Sequence, residues 1–240
     1  HTDSSAASDV YKRQEQARQV FNVLWRCDID SSKLQCPTPA NKNSPLQHNC
    51  SGKHAGMLGI CQQRNWSMES YLEMKHPVQQ LILSKVAELL AMPAPEFIGA
   101  RDDCGAPTYL LQLSQMATLY AKLASGNSLD LERIVRAMTY HPEMVAGKGH
   151  FDTELIRLTS GELVSKSGAE GVQCIGRVGE GMGLAIKVSD GAKRAKYAVA
   201  IHLLTQMGWI APSIGETLTE NYMLLSNVKR LEVVGEMSMI

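Results

Sequence analysis

The chain has 240 residues, 24 basic and 24 acidic side chains and 44% hydrophobic residues, the composition of an ordinary globular protein. A net charge of zero, with no long basic run and no basic-aromatic stripe, excludes the electrostatic footprint of a nucleic-acid binder. No apolar run approaches the ~18 residues of a membrane span, and the polar opening His1 to Gln14 is unlike a signal sequence, so no membrane partner is expected.

The opening HTDSSAASDVYKRQ begins with His1 rather than Met and has no clear apolar period, which leads us to expect an N-terminally truncated chain. From Glu15 to Arg26 the residues Ala17, Val20, Phe21 and Leu24 recur at helical spacing, and the Pro- and Asn-rich stretch Cys36 to Gln47 reads as a loop. HNCSGKHAGMLGICQQ passes from small polar residues into a buried helix whose first turn carries Ser51, Lys53 and His54. Pro77 opens an amphipathic helix that MPAPE breaks, and Pro107 is expected in the first turn of the helix YLLQLSQMATLYAKLAS. Arg101-Asp102-Asp103-Cys104-Gly105-Ala106 then stands just ahead of a helix start. A further helix covers Leu131 to Tyr140.

The last third is punctuated by glycine, and GLAIKVSDG alternates apolar and polar residues as an antiparallel strand does before a final helix in KYAVAIHLLTQMG. A helical middle, late strands and no repeated βα unit predict one α+β domain over residues 1–240, with helices packed on an antiparallel sheet.

Cys27, Cys36, Cys50, Cys61, Cys104 and Cys174 are too sparse for a disulfide scaffold and form no CxxC, so reduced thiols and a cytoplasmic location are expected. Cys50-Ser51-Gly52-Lys53-His54 packs a thiol, a hydroxyl, an amine and an imidazole together. Its plainer alternative is a helix cap, with Ser51 capping and Cys50 as buried filler. Lys166-Ser167-Gly168 resembles the Lys-Ser/Thr-Gly element of serine β-lactamases and penicillin-binding proteins. A lysine beside a serine hydroxyl serves as base or activator when burial and cationic neighbours lower its pKa; otherwise it is a solvated strand residue. Asp102 reads by itself as a loop carboxylate, while His48, His76, His141, His150 and His202 lack metal spacing and read as structural.

HNCSGKHAGML, DDCGAP, PEMVAGKGHFDTEL, SKSGAEGV and IKVSDGAKRA, in this order between roughly Cys36 and Gly208, resemble the successive signature segments of the rhizobial-type L-asparaginases, the asparaginase II family. The resemblance implies hydrolysis of L-asparagine to L-aspartate and ammonia, a fold similar to the serine β-lactamase/glutaminase-like architecture, and a homodimer at full length. It implies a Zn2+ ion held by Cys50, Lys53 and Cys104, the lysine coordinating as a neutral amine. Asp102 would bind the substrate's α-amino group and Lys166 would take part in catalysis, while His54 is a candidate either to hydrogen-bond the substrate carboxylate or to order the cluster. Family members commonly read Asp-Gly-Cys, and Asp103 replaces that glycine, which matters if the position requires a positive φ. The family's Ser-x-x-Lys element has no counterpart between His1 and Gln47, since Ser4, Ser5 and Ser8 lack a lysine three residues on. The nucleophile is therefore expected upstream of His1 and the present chain is expected to be inactive. Two rival readings are a β-lactamase- or transpeptidase-like acyl transferase, and a non-catalytic zinc- or amino-acid-binding domain.

Overall fold

In the computed structural model, which describes residues 3–223 together with Glu232 and Val234, the chain opens in a long helix, α1 (Asp3–Arg26). A loop with two short 3-10 turns leads to α2 (Ser51–Arg64), and α3 (Pro77–Leu90) follows with its proline in the first turn. There proline's missing N–H costs nothing, because no intrahelical acceptor exists for it. These helices enclose one core. Leu24, Ala55, Leu58, Cys61, Tyr71 and Val78 pack there with Cys36, Cys104 and Ala106.

The chain then forms a two-stranded antiparallel ribbon, β1 (Gly99–Arg101) with β2 (Pro107–Tyr109), before α4 (Leu113–Ala124). Pro107 thus opens a strand rather than a helix, which corrects the expectation. Proline is tolerated because this strand lies at an edge, where its absent N–H removes no ladder bond from a second neighbour. The polar segment Asp102 to Ala106 is consequently the tight turn of a ribbon, not a helix entry.

Helices α5 (Leu129–Tyr140), α6 (Pro142–Ala146) and α7 (Phe151–Leu158) precede a three-stranded antiparallel sheet in the order β3 (Leu163–Ser167), β4 (Val172–Arg177), β5 (Met182–Lys187). Helices α8 (Lys193–Gln206) and α9 (Pro212–Tyr222) complete the described chain. The α+β class is the one the sequence predicts, and no described helix is long and apolar enough to cross a membrane.

Strand alternation gives the sheet two distinct faces. Leu163 and Ile175 join Phe151, Leu155, Ala200, Ile201 and Leu204 in one core under α7 and α8, while Val164 turns the other way to Ala124 of α4. On that second face the opposed pair Gly176 and Gly183 leaves a shallow floor on which the α4 backbone rests. A Cβ on Gly183 would lie 2.0 Å from the Ala117 carbonyl oxygen and 2.6 Å from the Ala121 nitrogen; one on Gly176 would lie 2.7 Å from the Tyr120 carbonyl oxygen.

Backbone cannot yield as a side-chain tip can, so Gly183→Ala should destabilise the protein by at least ~1–3 kcal/mol. Gly56→Ala in α2, where an added methyl meets nothing within 4 Å, should stabilise it by about 0.5–1 kcal/mol. Urea unfolding of both variants checks the contrast; equal midpoints would mean that α4 does not sit on the sheet as described.

Candidate functional site

Two polar centres stand out, one in each half of the fold. The first forms where the start of α2 meets the β1–β2 turn. Cys50 occupies the N-cap position of α2 without a side-chain capping bond, and Ser51 is the first helical residue, only 4% exposed. Ser51 is therefore not the cap. Instead His48 Nδ1 accepts the Cys50 N–H at 3.0 Å, which fixes the thiol at the helix entrance.

The β1–β2 turn brings in the remaining groups. The Gly105 N–H donates to the Asp102 carbonyl at 2.8 Å, and Gly105 takes the left-handed φ of 83° that the reversal needs. Asp103 is not among the described positive-φ residues, so replacement of the family's glycine there demands no strained backbone. Arg101 holds the turn by donating to the carbonyls of Gly105 and Leu72. Cys104, 1% exposed, is thereby directed inward.

The outcome is a four-residue cluster. One ligand atom each from Cys50, Asp102 and Cys104 lie within 4.8 Å of one another, and Lys53 Nζ donates to Asp102 Oδ2 at 3.1 Å. The Cys104 thiol also approaches Asp102 Oδ2, at 3.6 Å. Cys50, Lys53 and Cys104, separated by up to 54 positions in sequence, thus converge with Asp102 among them. Burial first, helped by Cys104 and Asp102, lifts the Cys50 thiol, and despite the nearby Lys53 charge its pKa is pushed up to about 11. Burial pushes the Lys53 amine down, yet the Asp102 carboxylate and the two cysteines outweigh it and leave its pKa above the ordinary value. Asp102 is in turn raised by burial but held net low by Lys53. Two sulfurs and an amine fit zinc's preference for S and N donors, with the Asp102 carboxylate standing beside them. In the metal-free form the Cys50 thiol and the Lys53 amine carry protons, so binding would have to release them.

His54 lies beneath this cluster and is 0% exposed. The Gln35 N–H donates to the Tyr71 hydroxyl at 2.9 Å, and that hydroxyl lies 2.6 Å from His54 Nδ1. Burial first, then the Lys53 charge, depresses the His54 pKa to about 4, and its Nε2 has no described partner. A neutral ring accepting the Tyr71 proton at Nδ1 satisfies this geometry.

Lys166 belongs to the second centre and is exposed, its Nζ donating to the Ser167 carbonyl at 2.5 Å. Among the described residues, no hydrogen bond or ion pair joins it to the first centre. Behind it lies a network that sequence reasoning missed. Asp152, 2% exposed, accepts from Ser165 Oγ, Gln173 Nε2 and the Ser167 N–H, and Ser167 Oγ donates to Gln173 Oε1. Lys196, 1% exposed, lies with its Nζ 4.9 Å from the centre of the Tyr197 ring. Burial lowers its pKa, while the more distant Asp152 charge partly opposes that shift. Its signal was present: Lys196 falls on the apolar stripe with Ala200 and Leu204, four residues apart each time.

Residues 5–239 match the family model described as L-asparaginase II. No curated protein matches the chain.

Cys174, on β4 opposite Lys166 and 3% exposed, tests the burial that organises the second centre. Desolvation, then the Asp152 charge, pushes its pKa up to about 11. Because the folded value lies above the unfolded one, the thiol's contribution to stability is intact below the unfolded pKa and is lost as pH rises towards 11. The native protein at pH 8 should leave Cys174 unalkylated by iodoacetamide, and between roughly pH 8.5 and 11 it should lose about 3 kcal/mol relative to Cys174→Ala. Rapid alkylation of the native protein, located by peptide mass, would contradict the burial.

Proposed function

Since the chain belongs to the L-asparaginase II family, we propose that it hydrolyses the side-chain amide of L-asparagine to L-aspartate and ammonia through an acyl-enzyme. On the resemblance, the attacking group is the serine of a Ser-x-x-Lys element. Its oxygen bonds to the amide carbon, the C–N bond breaks, the nitrogen leaves as ammonia with a proton, and water then cleaves the ester. The convergence of Cys50, Lys53, Asp102 and Cys104 is the observation that carries the reading, because it assembles a donor set and an α-ammonium partner at one point.

In this reading Cys50, Lys53 and Cys104 hold zinc, which when bound supplies positive charge that stabilises the thiolates and fixes the two loops. Lys53 binds as the neutral amine. With Lys53 engaged there, Asp102 would be released from the cation it pairs with in the metal-free form and would be available to the substrate's α-ammonium. His54, enclosed and bonded to Tyr71, anchors the Cys50–Lys53 turn from below rather than touching the substrate carboxylate. Lys166 supports activation of the serine, its exposed amine held at the end of β3 by the Ser167 carbonyl.

Full-length protein incubated with L-asparagine should release ammonia, measured by coupled dehydrogenase assay; absence of turnover would sink the reading. Metal analysis tests the zinc assignment separately. Cys104→Ala should lose stoichiometric zinc and Cys174→Ala should keep it, whereas equal zinc in both variants would show that the cysteines are only core residues.

A further inference from the structure

The lysine that the family resemblance picks out is exposed, but the strand that carries it is tied down from within. Ser165 and Ser167 flank Lys166 on β3 and point to the opposite face, towards α7. A single carboxylate receives both: Asp152 Oδ1 accepts from Ser165 Oγ at 2.7 Å, and Asp152 Oδ2 accepts from the Ser167 backbone N–H at 2.9 Å. Gln173, paired directly across the ladder from Ser167, closes the circuit. Its amide nitrogen donates to Asp152 Oδ1 at 2.7 Å and to Ser165 Oγ at 2.8 Å, and its oxygen accepts from Ser167 Oγ at 2.9 Å.

This arrangement is an expensive way to hold two strands that the β3–β4 ladder already holds. Asp152 is 2% exposed and no cation lies within ion-pair distance among the described residues, while Lys196 is 1% exposed and faces a ring rather than a carboxylate. A buried carboxylate with no ion partner is costly to keep, and natural sequences break such rules mainly at functional sites. Asp152 also sits in the first turn of α7, where the helix dipole favours an anion. The carboxylate is thus fixed to α7 on one side and to both neighbours of Lys166 on the other.

We propose that Asp152 is the positioning residue of the Lys166-Ser167-Gly168 element, acting in amide hydrolysis through its bonds to Ser165 and Ser167 without touching substrate. The inference rests on the reading that Lys166 works in the reaction. Loss of the carboxylate lets the end of β3 shift relative to α7. A shift of this size spoils the placement of the Lys166 amine in the transition state more than it weakens substrate binding.

The experiment is a double-mutant cycle on the full-length protein with L-asparagine: the parent, Asp152→Asn, Lys166→Ala and the combination, each with a thermal unfolding curve. Asp152→Asn should lower kcat by about tenfold or more with KM changed less than about threefold, and the combined variant should be no slower than Lys166→Ala alone. If Asp152→Asn does not fold with Lys196 left uncompensated, the charge-neutral pair Asp152→Asn with Lys196→Met takes its place in the same cycle. A wild-type kcat in the Asp152 variant, or a combined loss equal to the product of the separate losses, overturns the proposal while the Lys166 reading stands. Full activity in Lys166→Ala sinks that reading itself, and the positioning role with it.

Discussion

A charged side chain taken out of water has to find donors, acceptors or an opposite charge, and this requirement shapes both polar centres. At the entrance of α2 it is met by an ion pair, Lys53 with Asp102, wedged between two thiols. In the sheet it is met by neutral donors gathered around Asp152, with the ammonium of Lys196 held at a distance. The first solution is easily rearranged, because both partners are partly exposed and a proton can leave. The second is fixed by buried hydrogen bonds and has little room to change. One centre is suited to exchanging ligands, the other to holding a strand still.

Much of this was legible in the amino-acid sequence, and what was missed has physical reasons. Helical spacing in Ala55, Leu58 and Cys61 and the proline at position 77 mark α2 and α3 because packing and the first-turn tolerance of proline both act locally. The alternation in β5 is local too. Pro107 was misread since a first-turn helical proline and an edge-strand proline impose the same φ, and only the pairing with Arg101 separates them. Family resemblance associates Cys50, Lys53, Asp102 and Cys104 with one site. Spacing alone does not, because their meeting depends on how a ribbon turn folds back over a helix start. Asp152 escaped notice for the same reason, its partners lying 13 to 21 positions away along the chain.

The position of His54 shows how a motif residue can be held beneath a cluster rather than within it. Placed within the five-residue cluster by sequence, it turns inward, and its ring is oriented by a tyrosine that is itself oriented by the Gln35 backbone. Three segments, the loop after α1, the stretch before α3 and the first turn of α2, are therefore tied at one buried point. The thiol and amine above inherit that rigidity.

The facing glycines of β4 and β5 have a mechanical meaning as well. With no side chains between them, α4 and the sheet are in backbone contact at Gly176 and Gly183, so there is no soft layer of rotamers to absorb a displacement. Cys174, two residues before Gly176 on the same strand, is paired across the ladder with Lys166. A displacement of α4 would accordingly be passed to the lysine-bearing strand as through a stiff lever.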